Sequence, residues 1–92
     1  MYYFIVNPNA HGGRVKKIWR KLERQIHKSG IHYEAFQTEA PGDARRMAAE
    51  LTANMQEPAT IVAVGGDGTV NEVLNGLAIS DLLTVGYIPT GS

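Results

Sequence analysis

The sequence predicts an α/β fold, a three-layer sandwich in which helices cover both faces of a mostly parallel sheet. Three observations predict this fold class. Apolar, β-branched runs alternate with segments of helical periodicity in the order β-α-β-α-β-α-β. The first run, YYFIV, is continuously apolar, as is typical of a strand covered on both faces. A later run, TIVAV, ends abruptly in GGDGT, where a helical pattern begins at once.

The elements of the first half follow from changes in periodicity. Residues 2–6 are the first strand, which Asn7 and Pro8 end, and NPNAHGG follows as a loop. A helix is predicted from Arg14 to the Ser29-Gly30 pair, with lysines and arginines on its solvated face. Its apolar stripe has helical spacing and consists of Val15, Ile18, Trp19, Leu22 and Ile26.

The second half repeats the pattern. Residues 31–38 are predicted as a strand, and EAPGD as a turn in which Asp43 is the N-cap of the next helix. Residues 60–64 form the third strand, a helix follows from about Val70, and residues 82–89 form the fourth strand. The chain stops at PTGS, where a further helix is expected, so we expect a truncated domain.

Composition limits the classes of function. The chain has 92 residues, enough for one small domain. Nine basic and nine acidic residues cancel, so a nucleic-acid-binding regulator is the least favoured function. The absence of cysteine excludes a disulfide framework and a thiolate zinc site. The apolar N-terminus lacks a preceding basic segment and is too short to span a membrane, which favours a soluble chain without a signal peptide.

The glycine loop GGDGT is the main candidate site. Its spacing matches neither G-x-x-x-x-G-K-[ST] nor G-x-G-x-x-G. Ligands of open α/β sheets nevertheless bind beyond the carboxyl ends of the strands, and a helix N-terminus attracts phosphate. The carboxylate of Asp67 would repel phosphate unless a divalent cation lay between them. The loop therefore predicts a phosphate site that uses a cation.

A purely structural alternative stays open for the loop. Thr69 and Glu72 have the spacing of a capping box, with Thr69 as N-cap and Glu72 at the third helical position. On that interpretation the glycines only make a turn. However, NPNAHGG, Thr38 and PTGS follow the other three strands, and parallel strands bring all four segments to one edge of the sheet. The set favours a phosphate or nucleotide site.

Four segments resemble the diacylglycerol kinase catalytic domain family, which includes sphingosine kinases and bacterial lipid kinases. VGGDGTVNEVLNG resembles the family signature, and NPNAHGG resembles its Asn-Pro-x-Ser/Ala-Gly loop. TEAPGDARRMA resembles a Thr-x-x-x-Gly-Asp/His-Ala segment, and YIPTGS resembles the start of a Pro-x-Gly-Thr/Ser-Gly-Asn-Asp loop. The match runs over residues 3–92. NAD kinases are similar at GGDGT, but the Asn71-Glu72-Val73 that follows favours the lipid kinases.

The resemblance implies a Rossmann-like, nucleotide-binding N-terminal domain of the lipid kinase/NAD kinase superfamily, here residues 1–92. It implies transfer of the γ-phosphate of ATP, with Mg²⁺, to a lipid hydroxyl, and Asp67 as the catalytic and metal-binding residue. The nucleotide-binding residues that it implies are Asn7, Pro8, Asn9, Ala10, His11, Thr38, Gly66, Asp67, Gly68, Thr69, Val70, Asn71, Glu72 and Ser92. His11 departs from the family, which has a small residue at that position.

The family's β-rich lipid-binding domain, its metal-binding acidic cluster and its general base are absent from the chain. We therefore expect the chain alone to be catalytically inactive. The resemblance further implies a cytoplasmic location with peripheral membrane contact, and exposed surface allows a homodimer. Two other interpretations stay open: an NAD kinase-like enzyme, and a non-catalytic module that senses a nucleotide.

Overall fold

The computed structural model describes residues 1–90. The strands are β1 (Tyr2–Val6), β2 (Tyr33–Gln37), β3 (Ala59–Gly65) and β4 (Leu83–Pro89), and the helices are α1 (Arg14–Lys28), α2 (Asp43–Thr52) and α3 (Asp67–Gly76). All strand pairs are parallel, in the order β2-β1-β3-β4. The predicted three-layer α/β fold is thereby confirmed.

Side chains alternate between the two faces of the sheet, which therefore carries two cores. Phe4 of β1 packs on the α1 side, with its ring centroid 5.1 Å from that of Trp19. The neighbouring Ile5 faces α2 and α3 and is fully buried. The α1-side core is built of Phe4, Val6, Val15, Trp19, Val62 and Val64. The opposite core is built of Ile5, Ala44, Ala48, Ile61, Ala63 and Val73.

The central strands β1 and β3 lie side by side, with Tyr2 opposite Thr60 and Val6 opposite Val64. They supply seven of the twelve buried hydrophobic residues, which explains their continuous apolar character. The fourth strand is an edge strand on which Val85 and Tyr87 are 42% and 41% exposed.

Two predicted helix starts differ from the structure. The second helix has Gly42 as its N-cap and Asp43 as its first residue, so Asp43 is not the N-cap. The third helix begins at Asp67 rather than near Val70, with Gly66 as its N-cap. Both helices thus start directly after a glycine, one to three residues earlier than a side-chain cap would place them.

Within residues 1–90, no helix combines the length and the apolar character that crossing a bilayer requires.

Candidate nucleotide site

The carboxyl ends of the strands bring the predicted loops to one edge of the sheet. The Asn7 amide donates to the Val64 carbonyl at 3.1 Å, and the Thr38 amide donates to the Val6 carbonyl at 2.9 Å. The loops after β1 and β2 are therefore fixed to the strands beside them. A depression of about 250 Å³ opens there, and its walls are Asn7, Asn9, Thr38, Glu39, Ala40, Pro41, Ala44, Thr69 and Glu72.

Five predicted nucleotide-binding residues share this depression, namely Asn7, Asn9, Thr38, Thr69 and Glu72. The glycine loop itself, with Asp67, lies at the start of the helix that supplies Thr69 and Glu72. The remaining residues of the prediction do not line the depression: Pro8, Ala10, His11, Val70 and Asn71. Ser92 lies outside the described residues.

The glycine loop leaves backbone donors at the start of α3. The amides of Thr69 and Val70 both donate to the Gly66 carbonyl, at 3.1 Å and 3.2 Å. The amides of Asp67 and Gly68 have no acceptor among residues 1–90. Free amides at a helix N-terminus carry a partial positive charge and suit an anion.

Two glycines of the loop, Gly65 and Gly68, differ in whether the fold requires them. Gly65 has a φ of 157°, and a Cβ there would lie 2.6 Å from the Thr69 hydroxyl. A Cβ on Gly68 would meet nothing within 4 Å, and the residue is in helical conformation. The fold therefore explains the glycine at position 65 but gives no reason for the one at position 68.

The capping-box alternative is wrong. The Glu72 carboxylate accepts a hydrogen bond at 3.0 Å from the amide of Gly42, in the turn before α2. The Thr69 amide is already bonded to Gly66, and Thr69 is the third residue of the helix rather than its N-cap. Glu72 instead ties one wall of the depression to α3.

Asp43 fixes the same turn from within. Its carboxylate accepts hydrogen bonds from the amides of Glu39 at 2.8 Å and Ala40 at 3.0 Å. These two N–H groups, with a smaller contribution from Arg46, lower the pKa of Asp43 below its usual value. The segment from Glu39 to Asp43 is thus held in place by its own side chain.

Thr90 is a residue that sequence reasoning missed. It directly follows β4, whose last residue, Pro89, lies opposite Gly65. Its side chain is buried, and its hydroxyl has no hydrogen-bond partner among residues 1–90. A buried polar atom without a partner is costly and marks a place where a ligand or water can bind. In the sequence, only its position in PTGS pointed to Thr90, and the prediction for that segment named Ser92 instead.

Comparison with protein families shows to which family the chain belongs. The family model of the "Diacylglycerol kinase catalytic domain" matches residues 1–92. The chain belongs to this family. It is 37% identical over 89 residues to a diacylglycerol kinase of Bacillus subtilis, covering 96% of this chain and 29% of that protein. It is 36% identical over 95 residues to sphingoid long-chain bases kinase 1 of Arabidopsis thaliana, covering 96% of this chain and 12% of that protein.

Solved structures of the family share the fold. A diacylglycerol kinase from Bacillus anthracis matches with a TM-score of 0.75 and 30% identity, covering 96% of this chain and 32% of that chain. The diacylglycerol kinase family member described here therefore spans about a third of the length of its bacterial relatives.

The glycine loop offers one carboxylate, that of Asp67, to the Mg²⁺ that kinases usually use. Within residues 1–90, no three His, Cys, Asp or Glu side chains are close enough to hold an ion together. Asp67 is exposed beside the free amides, whereas the nearby Glu72 is bonded to Gly42. Mg²⁺ is commonly bound by one or two carboxylates together with waters and substrate phosphates. A single carboxylate fits that arrangement, with the phosphates supplying further ligands.

Proposed function

We propose that this chain is the nucleotide-binding N-terminal domain of a lipid kinase. The enzyme transfers the γ-phosphate of ATP to the hydroxyl of a lipid that resembles diacylglycerol. Family membership supports the reaction class. The observation that carries the nucleotide site is Gly68, since the fold has room for a side chain there and a helix disfavours glycine. Close approach of a ligand to the backbone explains the missing side chain.

We assign the phosphates to the glycine loop. The amides of Asp67 and Gly68 bind phosphate oxygens, and the Asp67 carboxylate acts through Mg²⁺ or water. Mg²⁺, when bound, neutralises charge on the phosphates. The neighbouring depression, with Asn7, Asn9 and Thr38 in its walls, receives another part of the nucleotide. The proposed set of nucleotide-binding residues is completed by Pro8, Ala10, His11, Gly66, Thr69, Val70, Asn71, Glu72 and Ser92.

The lipid site belongs to a further domain of the full-length enzyme in this proposal. The chain covers about a third of its bacterial relatives, which leaves ample length for such a domain. Phosphoryl transfer requires a positioned acceptor hydroxyl, so residues 1–92 alone are expected to be inactive. The proposal places the enzyme in the cytoplasm with peripheral membrane contact, as a possible homodimer.

Calorimetric titration of the chain with ATP tests the nucleotide site. We expect saturable binding with Mg²⁺ that weakens when Mg²⁺ is removed. Asp67→Asn should lower the affinity about tenfold with Mg²⁺ and have little effect without it, because the lost charge acts through the metal. Asp81→Asn, an exposed aspartate before β4, is the matched control. An ATP affinity that changes neither on removal of Mg²⁺ nor in Asp67→Asn would instead indicate a nucleotide-sensing module.

A further inference from the structure

The charged residues of the chain are distributed unequally between α1 and the rest of the molecule. Seven of the nine lysines and arginines lie in α1, whereas only one of the nine aspartates and glutamates, Glu23, lies there. The helix therefore has a formal charge of +6, and the remainder of the chain has a formal charge of −6. The net charge of zero is thus the sum of a strongly basic helix and an acidic body.

Five of these cations form one face of α1. They have the same spacing as the apolar stripe from Val15 to Ile26, shifted by two residues along the chain. Two residues correspond to about 200° around a helix, so the five side chains lie opposite the stripe that packs on the sheet. All five are exposed, and they extend over about 17 Å of the helix axis. This basic face consists of Lys17, Arg20, Lys21, Arg24 and Lys28.

The basic face is not neutralised by ion pairs within residues 1–90. Both ion pairs in that part of the chain belong to Arg46 of α2. The single carboxylate of α1, that of Glu23, is half-buried and accepts a hydrogen bond at 3.1 Å from the hydroxyl of Tyr33. Cations four residues apart, such as Lys17 and Lys21, repel each other and destabilise a helix. Folding therefore does not explain the basic face, whereas an external anion does.

We propose that the basic face is the surface through which the chain docks on a membrane that contains anionic phospholipids. This inference rests on the proposed function, in which the enzyme meets its lipid at a membrane. A row of cations is complementary to the negative surface of such a bilayer, where each lysine or arginine adds about fivefold in affinity. The acidic remainder of the chain is repelled by the same surface, so one orientation is favoured.

Docking in this orientation leaves the candidate nucleotide site open and close to the bilayer. The helix α1 follows the loop after β1, so its first turn lies at the carboxyl edge of the sheet, where the site is. Because α1 lies between the membrane and the sheet, that edge stands about 10 Å, one helix diameter, from the lipid headgroups.

An aromatic side chain is exposed on the same side of the sheet. The ring of Tyr2 stacks on that of Phe4, with 6.3 Å between the centroids, and Phe4 belongs to the core under α1. Tyr2 is nevertheless exposed, as is Ile31, which follows the end of α1. Tyrosine is enriched where proteins meet a membrane interface, because its ring is apolar and its hydroxyl is wet. This neighbourhood favours a lipid surface over a nucleic acid as the anionic partner.

Sedimentation with lipid vesicles tests the basic face. The wild-type chain should bind vesicles of phosphatidylcholine and phosphatidylglycerol in equal parts, should not bind phosphatidylcholine alone, and should dissociate as salt is added. Arg24→Glu, in the middle of the basic face, should lower the affinity at least about tenfold, and Lys21→Glu should act alike. Far-UV circular dichroism checks that both variants remain folded.

Arg45→Glu is the matched control for Arg24→Glu. Arg45 is an exposed arginine of α2, on the other face of the sheet, and has no ion-pair partner among residues 1–90. The substitution makes the same change in net charge away from the basic face, so the vesicle affinity should change less than about twofold.

The outcomes separate this inference from the proposed nucleotide site, which ATP titration measures independently. A chain that binds ATP but no anionic vesicles overturns the membrane role of the basic face and leaves the nucleotide site intact. Equal losses of vesicle affinity in Arg24→Glu and Arg45→Glu overturn it as well, because net charge alone would then govern binding. Tighter binding to a single-stranded oligonucleotide than to the vesicles overturns the choice of a membrane. Docking as expected without ATP binding supports the basic face and overturns the nucleotide site.

Discussion

Gly68 illustrates how one residue can separate a binding requirement from a folding requirement. It is the second residue of α3, and an added Cβ would meet no atom within 4 Å. We expect Gly68→Ala to raise the free energy of unfolding by about 0.5–1 kcal/mol, since alanine restricts the unfolded chain and favours the helix. The same methyl group would stand where the phosphates approach, so the ATP affinity should fall at least about tenfold.

Urea unfolding and ATP titration on the same preparation measure the two effects of Gly68→Ala. A gain in stability together with a loss of affinity would mean that the glycine serves the ligand. Unchanged ATP affinity in the stabilised variant would show that the loop is only a turn at this position.

At the scale of elements, the sequence predicted which helices and strands exist better than where they start. The stripe from Val15 to Ile26 predicted α1 with its correct bounds, because the helix packs on the sheet along that stripe. The starts of α2 and α3 were placed wrongly because side-chain caps were expected. The decisive partner of Glu72 is Gly42, which is 30 residues away in sequence and cannot be inferred from local spacing.

The contact between α2 and α3 depends on a second glycine of the same helix. A Cβ on Gly76 would collide with the Arg45 carbonyl oxygen and lie 3.1 Å from the Cβ of Ala48. Backbone atoms cannot move aside as a flexible side chain can, so Gly76→Ala should push the helices apart. We expect it to lower the free energy of unfolding by about 1–3 kcal/mol, the usual cost of overpacking a core.

Gly68→Ala is the matched control for Gly76→Ala, because it makes the same chemical change in the same helix without a collision. Urea unfolding should show opposite shifts of the midpoint for the two variants. Equal shifts would contradict a close approach of α2 to α3 at Gly76.

For the whole molecule, alternating strands and helices were enough to predict the layers and the edge at which a site forms. The strands are parallel, so their carboxyl ends meet there whatever their order. The order β2-β1-β3-β4 was not predicted, and it explains why Thr38, Asn7 and Gly66 follow one another along that edge. The burial of the Thr90 hydroxyl depends on tertiary packing, so no spacing in the sequence indicates it.

The two cores share β1 and β3, so we expect them to unfold together. Val73 is fully buried in the α2/α3 core, whereas the single tryptophan, Trp19, is buried in the α1 core on the other face. Val73→Ala leaves a small cavity and should lower the free energy of unfolding by about 2 kcal/mol. Leu74→Ala, at a neighbouring side chain that is 54% exposed, should have an effect below about 0.5 kcal/mol.

Trp19 fluorescence and far-UV circular dichroism during urea unfolding test this cooperativity. If the two cores unfold cooperatively, both signals shift to the same lower urea midpoint in Val73→Ala. The shift then includes the tryptophan signal, although the cavity lies on the opposite face of the sheet. A fluorescence midpoint that stays at the wild-type value while the dichroism midpoint falls would mean that the two faces unfold independently. Because both cores pack on the same two central strands, we expect the coincident shift.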